Sequence, residues 1–131
     1  MGRKQVAAAF VVEAQDHFAF LGVEGFLGPE RSDCAIIFHS PGLAIEVALD
    51  QRAREVVTIV RATGERDLIA ELSCLYVEAG LGPSQHVPRN VTSEHSLKKV
   101  LGAQSEALAK LLPAIQADPY GREVIERCHR R

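Results

Sequence analysis

Between Val6 and Leu21 the residues Phe10, Ala14, Phe18 and Leu21 recur three and four apart, with Val11 beside them and Glu13, Gln15 and Asp16 between. This spacing follows the 3.6-residue helical turn and predicts an amphipathic first helix. Gly22 comes next, and a residue that takes a left-handed conformation without steric strain is expected to close that helix.

The period then changes. Cys34 to Phe38 is continuously apolar, Leu43, Ile45, Val47 and Leu49 alternate with smaller or charged residues, and Val56 to Val60 is again rich in β-branched side chains. These runs predict strands. Ser40-Pro41-Gly42 between the first two has the chemistry of a type II turn, and Asp50-Gln51-Arg52-Ala53 separates the second from the third. Short connections make neighbouring strands antiparallel, so the segment reads as a meander. A further edge strand is expected over Glu24 to Leu27, ended by Gly28-Pro29. In the middle strand Leu43, Ile45, Val47 and Leu49 share one face and Ala44, Glu46, Ala48 and Asp50 the other, the alternation of a sheet covered on one side.

Helical spacing returns after Gly64, at Leu68, Ile69, Leu72, Leu75 and Tyr76, and stops at Gly80-Leu81-Gly82-Pro83. Ser84 to Val91 reads as a loop. Thr92 or Ser93 is placed to cap a helix carrying Leu97, Leu101, Gln104, Leu108, Leu111 and Ile115. Pro113 is expected to kink or end it, having no amide proton. Asp118-Pro119 then reads as an N-cap with proline at the first position of a short helix bearing Val124 and Ile125. The whole predicts one α+β domain over residues 1–131: an N-terminal helix, an antiparallel β-meander of three to four strands, and two to three C-terminal helices packed on one sheet face.

Composition narrows the function classes. The formal net charge of -2 lacks the basic excess expected of a phosphate-binding surface, so no nucleic-acid partner is expected. The 47% apolar and 24% charged content is that of a folded chain. Cys34, Cys74 and Cys128 are odd in number and widely spaced, which reads as reduced thiols in the cytoplasm. Arg3-Lys4 and the run from Val6 to Val12 imitate a secretory signal until Glu13 and Asp16 interrupt it. No stretch is expected to reach the roughly 20 apolar residues of a membrane span, and Val6 stands where a myristoylation signal has Ser or Thr, so no membrane partner is expected.

No constellation of catalytic or metal-binding type emerges. His17, His39, His86, His95 and His129 fall in different elements without the four-apart spacing of a helical metal motif, and neither cofactor nor metal is expected. Cys34 and Cys74 read as inert residues of apolar elements, and Cys128-His129 sit near a terminus. Glu46, Asp50 and Glu55 gather at the second hairpin, either as a carboxylate site or as polar residues of an exposed sheet face. Gly22, Gly25 and Gly28 lack the lysine and setting of a phosphate loop. Arg122, Arg127, Arg130 and Arg131 suit either a solvated helix end or an acidic partner. The helix around Leu97, Leu101 and Leu108 is apolar beyond its main stripe, so it serves either the core or a partner surface.

The line from Cys34 through Phe38, Pro41-Gly42 and Glu46 to Asp50-Gln51-Arg52 and Arg54, with Phe18-Ala-Phe-Leu21 and Gly25-Phe26 before it and Ala103 to Leu108 after it, resembles a recurrent type of small uncharacterised bacterial α+β protein. The resemblance implies an immunity-like or accessory binding role and carries no catalytic residues. The expected function is therefore a non-enzymatic protein-binding module, an immunity-type inhibitor or regulatory accessory protein. Its expected partner surfaces are Glu46, Asp50, Arg52 and Arg54 on the sheet and Leu97, Leu101 and Leu108 on the helix. The alternatives are a small enzyme assembled from distant residues, with His39, Glu46 and Cys34 as members, and a homodimer through residues 97–115.

Overall fold

The computed structural model of the chain describes residues 3–129, with side chains from Val6 onward. Met1-Gly2 and Arg130-Arg131, which carried the myristoylation reading and half of the basic tail, lie outside the described residues.

Helix α1 runs over Arg3–Phe18, breaks at Ala19 and resumes as the single turn α2, Phe20–Val23. Val6, Phe10, Ala14, Phe18 and Leu21 are buried along one stripe. The stretch Val6–Val23 is, by length and composition, apolar enough to cross a membrane, which corrects the sequence expectation; in this fold it is the helix that carries that buried stripe. Gly25, not Gly22, provides the left-handed closure, with φ of 95°. Phe26 N–H donates to Leu21 O (2.9 Å) and Gly25 N–H to Gly22 O (3.3 Å), a Schellman pair that also brings the buried side chains of Phe26 and Leu21 to the helix end.

Five strands follow in sequence order as an all-antiparallel sheet: β1 Leu27–Arg31, β2 Ala35–Ser40, β3 Leu43–Asp50, β4 Glu55–Ala62 and β5 Leu68–Glu71. The meander is as expected, with more strands. Gly28-Pro29 lies inside β1 instead of ending an edge strand, at an irregularity in the register between Leu27 and Glu30. Gly42 takes φ of 83° in the β2–β3 turn, as a type II turn requires.

Residues Leu68–Glu71, expected to open a helix, form β5 and alternate: Leu68 and Ala70 are buried, Ile69 and Glu71 half-buried. Pairing of Val60 with Ala70 and Ala62 with Leu68 outweighs the helical reading of the same residues. Helix α3, Leu72–Glu78, starts directly afterwards and buries Leu72, Leu75 and Tyr76.

The segment after Gly82 holds one 3₁₀ turn, Ser84–His86. It then runs beside the start of β4: Val56 N–H donates to Arg89 O (2.9 Å) and Val91 N–H to Arg54 O (2.8 Å).

Helix α4 spans Glu94–Gln116 and passes through the exposed Pro113, which neither ends it nor interrupts its buried stripe. Ser93 is its cap. Its Oγ accepts from Ser96 N–H (3.2 Å) while Ser96 Oγ accepts from Ser93 N–H (3.0 Å), a capping box with serine in the usual glutamate position. Ser93→Ala is expected to lower the unfolding free energy by about 1 kcal/mol in urea denaturation; a change indistinguishable from zero would mean the cap is not formed in solution.

Helix α5, Tyr120–Arg127, buries Val124 and Ile125. Its N-cap position is Pro119, with no side-chain bond, so Asp118 does not cap it as expected.

The helices cover the sheet face that carries Ile36, Phe38, Ile45, Val47, Leu49, Val56, Val60, Ala62, Leu68 and Ala70. Burying a Leu, Ile or Phe side chain there contributes roughly 1.5–3 kcal/mol. Within this core Gln104 is 1% exposed and makes three bonds: its Nε2 donates to Val56 O and Pro88 O (2.8 Å each), and its Oε1 accepts from Thr58 Oγ1 (2.7 Å).

Cys74 and Cys128 form a disulfide that joins α3 to the end of α5, correcting the expectation of reduced thiols; Cys34 is free and half-buried. The cytoplasmic location loses the support that the cysteine count had lent it. Immediately after Cys128, His129 Nδ1 accepts from Ile69 N–H (3.0 Å), which ties the residue after the disulfide to β5.

Candidate functional site

The surface left over by this packing is the second face of the sheet. The register places its outward residues in rows. One row reads Glu30, Ile37, Glu46, Ile59, Glu71 from β1 to β5; the next reads Leu27, His39, Ala44, Arg61, Ile69; on the other side come Ala35, Ala48, Val57 and then Asp50 beside Glu55. Ile37, Val57, Ile59 and Ile69 are half-buried and stand outside the core that the helices cover. The alternation that sends β-branched residues into the core thus puts a second, smaller aliphatic set on the outside.

Charges frame this set. Arg61 donates to Glu46 Oε1 through Nη2 (2.8 Å) and Nε (3.3 Å), a diagonal pair across β3 and β4. Arg89 reaches in from the segment beside β4, bonds Glu55 through Nε (2.6 Å) and lies 3.5 Å from Glu71. His39 Nε2 lies 3.4 Å from Glu30. Ala48, Asp50, Glu55, Val57, Ile59, Glu71 and Arg89 outline a shallow hollow of about 260 Å³ at the hairpin end. At the tip, Asp50 Oδ1 accepts from Arg52 N–H and Ala53 N–H (3.0 Å each), which shapes the turn and leaves the Arg52 and Arg54 side chains exposed.

Of the expected partner residues, Glu46, Asp50, Arg52 and Arg54 are gathered on this face and its hairpin tip. Leu97, Leu101 and Leu108 are not: all three are fully buried beneath the sheet, so the helix part of the expected surface is withdrawn. The exposed positions of α4 are His95, Lys98, Lys99, Glu106, Ala109, Lys110, Pro113 and Gln116, a mostly polar face with little apolar area. Sequence reasoning missed Arg89, since a lone arginine in a loop gives no sign that it will lie between two glutamates.

The residues of the enzyme alternative do not converge. His39 faces Glu30, Glu46 is held by Arg61, and Cys34 Sγ accepts from Gln51 Nε2 (2.9 Å). Among the described residues no three His, Cys, Asp or Glu side chains are grouped to hold a metal ion. Arg122 and Arg127 serve the fold: Arg122 donates to Arg66 O (3.0 Å) and Arg127 lies 3.7 Å from Glu78.

Comparison with known protein families, curated proteins and solved structures gives no match to this chain.

Proposed function

We propose that this chain is a non-enzymatic protein-binding module, an inhibitor or accessory protein of the immunity type, that meets its partner through the open sheet face. One observation carries the reading: Ile37, Val57, Ile59 and Ile69 stand on a face that no helix covers, in rows rimmed by fixed charges. An aliphatic centre with a polar rim is the anatomy of a protein interface.

Size adds a constraint. Strands about 4.8 Å apart and residues about 3.4 Å apart give five such strands roughly 500 Å² of face. A standard interface takes about 800 Å² from each partner. The contact therefore includes the hairpin tip with Arg52 and Arg54, or the association is a transient one.

The test is quantitative capture of the partner by the tagged chain and by a Val57→Asp, Ile59→Asp variant. Two carboxylates in the centre of the interface are expected to weaken binding by about a hundredfold or more; they also stand beside Glu46 and Glu71, so a circular-dichroism melt establishes that the variant is folded at the temperature of the capture. Undiminished capture by a folded variant would remove the sheet face from the proposal.

A further inference from the structure

We infer that the partner presents aliphatic side chains flanked by lysine or arginine, and that it is a different protein and not a second copy of this chain. The inference rests on the reading of the open face as the binding surface and adds the chemistry of what covers it.

Charge carries the argument. The strand rows hold Glu30, Glu46, Asp50, Glu55 and Glu71, while the cations among them are Arg61 and Arg89. The face therefore has an excess of three negative charges. Arg61 places both of its bonds on Glu46 Oε1, and Glu30, on the edge strand, has His39 Nε2 at 3.4 Å. Arg52 and Arg54 lie beyond the rows, at one end. Complementary potential across an interface sets partner choice and speeds encounter, and like charges facing one another are costly. The fitting surface thus offers cations toward Glu30 and Glu46, aliphatic groups toward Ile37 and Ile59, and an acidic group toward the hairpin tip.

The same rows disfavour a second copy. Face-to-face pairing about a two-fold axis parallel to the strands and centred on β3 lays β1 over β5, so that Glu30 meets Glu71 and Glu46 meets its own counterpart. An axis running along the row sets Glu30, Glu46 and Glu71 each on itself. Both arrangements stack carboxylates where a partner must bring cations.

The experiment titrates the full chain with three cyclic β-hairpin peptides whose exposed faces alternate isoleucine with lysine, threonine or glutamate, followed by amide NMR at low and at high salt. The lysine peptide is expected to bind on the order of tenfold more tightly than the glutamate peptide, with shifts centred on Ile37, Val57, Ile59 and Ile69, and the preference is expected to fade in high salt. Glu30→Lys with Glu46→Lys is expected to reverse the order; Glu46→Gln, a milder change, is expected to narrow it if the double variant folds poorly. Equal binding of the threonine and lysine peptides at these residues would overturn the inference and leave the binding reading standing. Light scattering that finds a dimer of the free chain with this face protected would make the occupant a second copy. A face that responds to none of the peptides counts against both the inference and the reading beneath it.

Discussion

Reducing the Cys74–Cys128 bond is expected to lower the unfolding free energy by about 4 kcal/mol. The bond joins residues separated by 54 positions, and loop closure of that length removes about this much chain entropy from the unfolded state. Urea denaturation with and without a dithiol reductant, alongside the Cys74→Ser, Cys128→Ser variant, measures it. Thiol titration of the unreduced, denatured chain is expected to find one group, Cys34, and three after reduction. Val124 and Ile125 still hold α5 in the core after reduction. The local consequence falls on the neighbour of Cys128: the Ile69 amide, bonded to His129, should exchange faster. Three titratable thiols in the unreduced chain would show that the bond does not form.

The second large effect is expected at Gln104. Gln104→Leu keeps the volume but leaves the Thr58 hydroxyl and the Val56 and Pro88 carbonyls without the partners they have now. An unpaired buried group costs about 1–3 kcal/mol, so the loss is expected at about 3–5 kcal/mol. Adding Thr58→Val removes one of the stranded groups and should recover about 1 kcal/mol or more. Equilibrium unfolding of the single and double variants gives the coupling directly, and a loss below about 1 kcal/mol for Gln104→Leu would mean that water replaces the side chain in this network.

These two sites also mark what the chain's pattern reveals and what it hides. The in-out alternation of β3 was legible from Leu43, Ile45, Val47 and Leu49, because a half-covered strand writes its two faces directly into the sequence. The stripe of α4 was legible for the same reason at another period. Gln104 stood in that stripe, and a polar residue at a buried position signals a bonded core group, though its partners on β4 and near Pro88 belong to tertiary structure. Leu97, Leu101 and Leu108 were ambiguous between core and interface since periodicity finds the apolar face and not what covers it.

Leu68, Ile69 and Leu72 suit a helical stripe while Leu68 and Ala70 suit an alternating one, and only pairing with β4 decides for a strand. Gly22 and Gly25 both offered helix closure; the bond from Phe26 to Leu21 selects the latter. The disulfide was hidden by arithmetic: an odd count and a long separation do not indicate which two cysteines meet. Of the candidate site, Glu46 and the hairpin were found from alternation and turn chemistry, whereas Arg89 depends on where the 84–91 segment lies.

The division of labour between the two sides of the sheet has an evolutionary consequence. Ile36, Ile45, Val47 and Val60 hold the fold together, while Ile37, Glu46, Val57 and Ile59 occupy alternate positions in the same strands and lie outside that buried core. If the open face is the binding surface, substitutions in the second set change what it recognises at less expense to folding than those in the first. Such a scaffold can then follow a changing partner residue by residue, and its recognition surface can diverge faster than the architecture that carries it.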